Sequence, residues 1–297
     1  MEQVYLNGAF LPKEEARIPV DDRGFLFGDG VYEVTPFYGG VPFRLPRHLA
    51  RMRRGLAALQ IPMEAGAVEA LGSLHGDLLA RNGLEGNEMA IVYLQVTRGA
   101  APRTHHFPDP APAPTVYAYA RAFQRPSTEE WEKGFGAITV PDLRWARADL
   151  KTVQLLPNVL AQQAARAAGV ADALLVRDGL ALEGAHSNLC VVFGDRVVTH
   201  PLSNQVLPGI TREAVLEAAR ARGIPVEERP IPMTELPDAT EVFFTGTTTE
   251  VRPTVQVDGK PVGNGKVGPV TWEIQEGFLE LVTRDCGVAS PVEVGGG

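Results

Sequence analysis

Apolar and polar residues alternate with period two over much of this chain, and a few stretches of helical period lie between. The opening Val-Tyr-Leu-Asn-Gly-Ala-Phe-Leu-Pro sets an Asn-Gly turn between two apolar arms, which predicts a hairpin. A second hairpin is predicted over residues 30–38, a Gly-Gly turn and residues 41–44. Helical spacing follows over 46–59 and again from about 63 to 82, where Asn-Gly stops it. Strand alternation returns over 90–97 and 115–122. The loop between them, Arg-Gly-Ala-Ala-Pro-Arg-Thr-His-His-Phe-Pro-Asp-Pro, is long enough to be functional or mobile.

Residues 122–130 read as a linker, with Ser127 and Glu130 spaced as the capping box of a short helix. Beyond it the pattern predicts a strand near 136–141, a helix over 155–168 and hairpin strands at 172–177, 180–183, 188–193 and 196–199. A helix over 210–222 and strands near 226, 241–245 and 251–257 complete it. The glycine-rich end is expected to fray. Strands joined by short turns are antiparallel, so the expectation is an α+β fold. Its two domains, 1–122 and 123–297, each hold a mostly antiparallel sheet flanked by helices.

Composition narrows the function. The 297 residues are 44% apolar and 22% charged, as in a soluble globular protein. A net charge of -8 without a basic block argues against nucleic acid as a partner. No apolar run approaches the roughly 18 residues of a membrane span, and the first residues lack the pattern of a signal peptide. Two cysteines make no disulfide framework, so a cytoplasmic location is expected. The histidines show no metal-site spacing. The adjacent His105 and His106 would point to opposite faces of a strand, and no metal is expected.

Five lysines occur. Lys13, Lys133, Lys260 and Lys266 stand in charged stretches or glycine turns, whereas Lys151 has apolar residues on both sides. An amine in apolar surroundings is less stable as the ammonium, and the neutral amine is the form that condenses with an aldehyde. Lys151 is therefore a candidate Schiff-base residue for pyridoxal phosphate. The plainer reading is a lysine whose stem lies along a core edge while its head reaches water.

Such a cofactor needs donors for its phosphate, an anion for its ring nitrogen and a cation for the substrate carboxylate. Leu207-Pro-Gly209-Ile210-Thr211 opens a helix, where free amides, the dipole and a hydroxyl favour an anion, or where an ordinary cap is all that is meant. Thr245-Gly246-Thr247 ends an apolar strand with small hydroxyls, an anion-binding turn or a polar strand end. His48 and Arg51 share a helix face; Arg51 is a phosphate partner or a solvated arginine. Glu183 closes an apolar strand, facing either a pyridinium or water. In the long loop, Arg103, His105 and His106 could grip a carboxylate, or be solvated.

These residues sit in segments that resemble the fold type IV pyridoxal phosphate enzymes, and among them the bacterial D-amino-acid aminotransferases. The segments are Asp22-Arg-Gly-Phe-Leu-Phe-Gly-Asp-Gly-Val-Tyr-Glu-Val, Gln95-Val-Thr-Arg-Gly-Ala-Ala-Pro-Arg-Thr-His, Asp149-Leu-Lys-Thr-Val-Gln-Leu-Leu, Pro208-Gly-Ile-Thr-Arg and Thr245-Gly-Thr-Thr-Thr-Glu. The resemblance extends from about Val4 to Val270. It implies two domains with the cofactor between them, Lys151 as the Schiff-base lysine and Glu183 as partner of the pyridine nitrogen. It also implies phosphate binding by Arg51, Gly209, Ile210, Thr211, Gly246 and Thr247, with Leu207 packed against the ring. Tyr32, Arg103 and His105 match a substrate carboxylate trap supplied by the neighbouring subunit of a homodimer.

The implied reaction moves the amino group of D-amino acids to 2-oxo acids such as 2-oxoglutarate or pyruvate. Branched-chain L-aminotransferases and aminodeoxychorismate lyases share fold, lysine and glutamate but generally lack the Arg-x-His element; they are the alternatives. One departure stands out. Ala185 and His186 follow Glu-Gly where D-aminotransferases often carry serines, so hydrogen bonding beside the ring and phosphate differs.

Overall fold

Asn7 and Gly8 both take left-handed backbone angles (φ 49° and 97°), closing β1 (Gln3–Leu6) onto β2 (Ala9–Pro12) as the Asn-Gly pair demands. The computed structural model describes residues 1–288, so the glycine-rich end expected to fray lies outside the described residues. The chain divides into two units, Met1–Gln124 with Leu150–Gln154 and Asp285–Val288, and Arg125–Asp149 with Leu155–Arg284.

The first unit continues with α1 (Arg23–Phe27), β3 (Gly30–Tyr38), β4 (Val41–Pro42), α2 (Leu45–Ala58), α3 (Ala67–Arg81), β5 (Met89–Thr97) and β6 (Thr115–Ala122). Its six strands lie in the order β2-β1-β6-β5-β3-β4, every neighbour antiparallel. One face carries Val31, Phe37, Val92, Leu94, Val96 and Ala118. It packs against Met52 and Leu56 of α2 and Leu71, Leu74 and Leu78 of α3. Burying a side chain of this size contributes about 1.5–3 kcal/mol, which is why the helical stripes settle on this face. The second helix starts later than its sequence pattern suggests. Gly66 is left-handed (φ 78°), a conformation no helix interior accepts, so α3 begins only after it.

The second unit holds α4 (Thr128–Lys133), β7 (Phe135–Pro141), α5 (Leu156–Ala167), β8 (Asp172–Arg177), β9 (Leu180–Gly184), β10 (Asn188–Phe193) and β11 (Arg196–Thr199). It continues through α6 (Ile210–Ala221), β12 (Val226–Glu228), β13 (Ile231–Pro232), β14 (Glu241–Gly246), β15 (Glu250–Val257), β16 (Lys260–Pro261) and α7 (Pro269–Cys286). The Ser127–Glu130 capping box forms as its spacing predicts.

Most pairs in this ten-stranded sheet are antiparallel, but β7 runs parallel to both β8 and β15, and β11 parallel to β12. Helices α5 and α6 explain two of these pairs, because a helical crossover returns the chain to the same end of the sheet. The protein is thus α+β, with one wholly antiparallel and one mixed sheet. Helix α7 lies beyond the elements the pattern predicts, although Ile274, Phe278 and Val282 recur at helical spacing and are all buried. Its first turn is held by a distant residue. Glu241 accepts from the amides of Val270 (3.0 Å) and Thr271 (2.7 Å).

Candidate active site

Lys151 lies on a short segment that runs along β3. The Tyr32 amide donates to the Lys151 carbonyl at 3.0 Å, and the Val153 amide to the Gly30 carbonyl at 3.1 Å. These bonds fix the lysine backbone to a rigid strand and set its Nζ over the Tyr32 ring, 4.2 Å from the centroid. Lys151 is half-buried, while the other four lysines are exposed. That is less burial than its apolar neighbours suggest. An amine over a tyrosine face gains from the ring's negative centre without giving up all its water.

Next to Tyr32 in sequence, Glu33 points to the opposite face of β3 and is 1% exposed. Arg51 donates to it twice, from Nε and Nη2, both at 2.7 Å, and His48 Nδ1 lies 2.9 Å away. Burial pushes the Glu33 carboxyl up, but the Arg51 and His48 contacts outweigh it and bring it down to about 2. Burial also lowers His48, helped by the positive charges of Arg51 and Lys151, against the pull of Glu33. Arg51 is therefore a buried, ion-paired arginine, not the solvated one its Arg-Met-Arg-Arg context allows.

Arg103 and His105 sit exposed on the loop between β5 and β6. Both meet the Phe27 ring, the Arg103 guanidinium 5.2 Å and the His105 ring 5.8 Å from its centroid. Among the described residues their contacts run to Phe27, not to Tyr32 or Lys151.

In the second unit, Glu183, Asn188 and Thr245 are neighbours across three adjacent strands, Asn188 pairing with each of the others. Asn188 Nδ2 donates to Glu183 Oε2 at 2.7 Å and to the Leu207 carbonyl at 2.8 Å, and the Leu207 amide returns a bond to Glu183 at 3.0 Å. A side chain at Gly209 would meet Asn188 Oδ1 and displace the Asn188 side chain that bonds Glu183 and Leu207. Arg144 also donates to Glu183. Its Nε and Nη2, however, bond Asp142 at 2.9 and 3.0 Å. Glu183 is 3% exposed. Burial pushes its carboxyl up to about 7; Arg144 opposes this, and the nearby Asp142 charge adds to it.

Two features suit an anion. Helix α6 starts at Ile210 with no side chain capping it, and Thr211 is buried in its first turn. The β14–β15 turn bears Gly246 and Thr247, flanked by Thr245 and Thr249. The hydroxyls of Thr245 and Thr249 are buried and find no hydrogen-bond partner among the described residues. The departure at Ala185 also has a local reason. Its methyl packs with Ala161, Ala165, Ala173 and Leu175, where a hydroxyl would lack an apolar fit. His186 is exposed.

The family model for amino-transferase class IV matches residues 30–257. This chain belongs to the class IV aminotransferases. It is 38% identical over 282 residues to a D-alanine aminotransferase of Staphylococcus haemolyticus, covering 95% of this chain and 98% of that one. A Bacillus licheniformis D-alanine aminotransferase is 39% identical over 283 residues, with the same coverage. Among solved structures, a T.th. branched-chain amino acid aminotransferase with pyridoxamine 5'-phosphate superposes with a TM-score of 0.86 at 30% identity. The match covers 96% of this chain and 95% of that one. The Escherichia coli branched-chain enzyme gives 0.83 at 25% identity over 99% and 97%.

Three residues of this aminotransferase that touch the candidate groups escape sequence reasoning: Glu33, Arg144 and Asn188. Glu33 leaves a readable trace, since a glutamate alternating with Val31, Thr35 and Phe37 on an inward strand face must be paired. Arg144 leaves none, because its partner lies 39 residues away, whereas Asn188 faces Glu183 across the hairpin predicted from 180–183 and 188–193. Among the described residues of the aminotransferase, no helix is long and apolar enough to cross a membrane.

Proposed function

We propose that this aminotransferase moves the amino group of D-amino acids, of the D-alanine, D-glutamate and D-aspartate type, to 2-oxo acids such as 2-oxoglutarate or pyruvate. Pyridoxal phosphate is the cofactor, Lys151 carries it, and the active form is a homodimer. The observation that bears most on the cofactor is Glu183. It is sealed from water and held by three donors, yet pushed up to about 7. Such a carboxylate is short of one cation, and a protonated ring nitrogen supplies it. The orphaned Thr245 and Thr249 hydroxyls and the uncapped start of α6 fit a phosphate group.

When bound, pyridoxal phosphate supplies an aldehyde that takes up the amine and a ring that draws electrons from the α-carbon. The chain does the rest. Lys151 Nζ takes the α-proton and returns it on the other carbon, a positioned transfer of a kind that contributes about 10²–10⁴-fold. Glu183 holds a proton at the ring nitrogen. Ile210, Thr211, Gly209, Gly246 and Thr247 bind the phosphate, with Arg51 as its cation, and Leu207 packs against the ring. Tyr32, Arg103 and His105 orient the substrate carboxylate, Arg103 through its planar fork. The D preference draws on the Arg103-Thr-His105 element and on the likeness to D-alanine aminotransferases.

The superposition on branched-chain aminotransferases favours one second reading, an L-branched-chain enzyme. Assaying D-alanine with 2-oxoglutarate beside L-leucine with 2-oxoglutarate separates the two. Turnover of L-leucine alone overturns the D reading, and pyruvate release without an amino acceptor would point to a lyase. Lys151→Ala is expected to abolish turnover and covalent cofactor attachment. Borohydride reduction and peptide mapping check this: a label on another residue removes Lys151 from its role.

A further inference from the structure

Arg23 is 3% exposed, an arginine almost sealed from water at the start of α1. Its Nε donates to Asp29 Oδ2 at 2.9 Å, and its Nη1 donates to the backbone carbonyl of Thr104 at 2.8 Å. Thr104 is the residue between Arg103 and His105. The same guanidinium lies 4.7 Å from the centroid of Phe27, the ring that Arg103 and His105 also meet. Asp29 is also gripped by Arg98, at 2.7 Å on the same Oδ2 and at 3.0 Å on Oδ1, and the Arg98 guanidinium lies over Phe107 at 3.7 Å. The base of the loop is tied by the Arg23 amide to the Gly99 carbonyl (3.0 Å) and by the Ala101 amide to the Asp21 carbonyl (3.2 Å).

This arrangement is more than a loop anchor. Two of the loop's tips are exposed cationic or imidazole side chains, and a loose loop would place neither reproducibly. A bidentate grip on a carboxylate tolerates little displacement, and an ångström of misplacement is costly. The Thr104 carbonyl is a backbone group, so bonding it fixes the directions of both flanking side chains at once. Phe27 then limits where each can swing.

We propose that Arg23 is a positioning residue for the substrate carboxylate, acting through the Thr104 carbonyl and the Phe27 ring to hold Arg103 and His105 in place. This rests on the reading of Arg103 and His105 as the carboxylate-binding pair. Phe27 shares the task, and Asp29 with Arg98 keeps the Arg23 guanidinium aimed.

The test uses the full-length, cofactor-loaded enzyme with Arg23→Gln, Arg23→Lys, Phe27→Leu and Arg103→Gln. Kinetics with D-alanine and 2-oxoglutarate are measured beside the rate of trypsin cleavage after Arg103. In Arg23→Gln, KM for D-alanine rises about tenfold while kcat stays within about twofold, as expected for loss of one charge-assisted hydrogen bond that orients binding. Trypsin cuts after Arg103 faster in that variant, and Arg23→Lys falls between it and the parent in both readouts. If Arg23→Gln does not fold, Phe27→Leu carries the test, with KM up about threefold at unchanged kcat. Unchanged KM and unchanged cleavage overturn the proposal, as does a parallel fall of kcat and melting temperature with no change in KM. Arg103→Gln separates the two layers. If it leaves KM unchanged, the carboxylate reading of the loop fails, whereas a KM rise there without one in Arg23→Gln or Phe27→Leu sinks only the positioning role.

Discussion

Glu33 in the first unit and Glu183 in the second are both strand glutamates, both sealed from water and both bonded to an arginine, yet they titrate in opposite directions. Burial acts on each alike, raising the carboxyl. The difference lies in how many positive donors remain to oppose it. Arg51 gives Glu33 two donors at 2.7 Å, and His48 adds a third contact. Arg144 gives Glu183 one, because its other donors go to Asp142 and to the Gln205 carbonyl. Asp142 also brings a second negative charge, shared between Arg144 and Arg177. Glu33 is therefore a closed ion pair that holds α2 against β3. Glu183 is an open one, able to accept a cation from outside the chain. The two buried carboxylates thus differ in how far their partners neutralise them, and on the proposed function only Glu183 has a cation still to accept.

The contrast can be tested by removing each charge in turn. Glu33→Gln leaves Arg51 buried against a neutral amide, and the expected loss of folding stability is roughly 3–5 kcal/mol, read by urea unfolding. A loss below about 1 kcal/mol would mean that the pair is not closed. Glu183→Gln should not lower the stability of the cofactor-free protein at pH 7, where burial disfavours the carboxylate, but should lower turnover about 10²–10³-fold, the usual cost of removing one preorganised electrostatic partner. Full activity in that variant would show that the ring nitrogen needs no carboxylate.

Acid–base linkage gives the third comparison, made on cofactor-free protein by denaturation across pH. Glu33 falls from an ordinary 4.5 to about 2 on folding, so its stabilisation is complete above 4.5 and is lost as pH drops towards 2. Glu183 rises from 4.5 to about 7, so the folded form holds a proton that the unfolded form has released. Stability then declines as pH climbs from 4.5 to 7, by up to about 3 kcal/mol. Adding pyridoxal phosphate should flatten that upper limb, and Glu183→Gln should erase it. The smallest effect is expected for Asp142→Asn. It removes the neighbouring charge and lets Arg144 serve Glu183 more fully, so the same limb moves to lower pH. An unmoved limb would assign the rise to burial alone.

Much of this architecture is legible in the chain itself. The Asn7-Gly8 and Gly39-Gly40 hairpins, the capping box at Ser127 and the longer strands of both sheets follow from turn chemistry and alternation, which act over a few residues, whereas the two-residue strands β13 and β16 do not. The start of α3 departs from the pattern because Gly66 permits a left-handed turn that no periodicity reports. Helix α7 carries the apolar spacing of a helix, but its start is held by Glu241 from 29 residues away. At the candidate site, Lys151 stands out by its neighbours and Glu183 by its strand, but neither one's burial follows from local context. Lys151 is more exposed and Glu183 more enclosed than their neighbours in sequence imply.

Local order along the chain is enough to indicate most of the strands and helices and which lysine differs from the rest, because those properties depend on near neighbours. Pairing lies beyond its reach. Whether a glutamate ends at about 2 or about 7 depends on which arginine arrives from a distant strand or helix, and on what else that arginine must satisfy. The same holds for Arg23, whose reach to a carbonyl 81 residues along exists only once the backbone has folded back beside it. Electrostatics in a dry interior is set by distances between groups remote in sequence, and those distances come into being only with the fold.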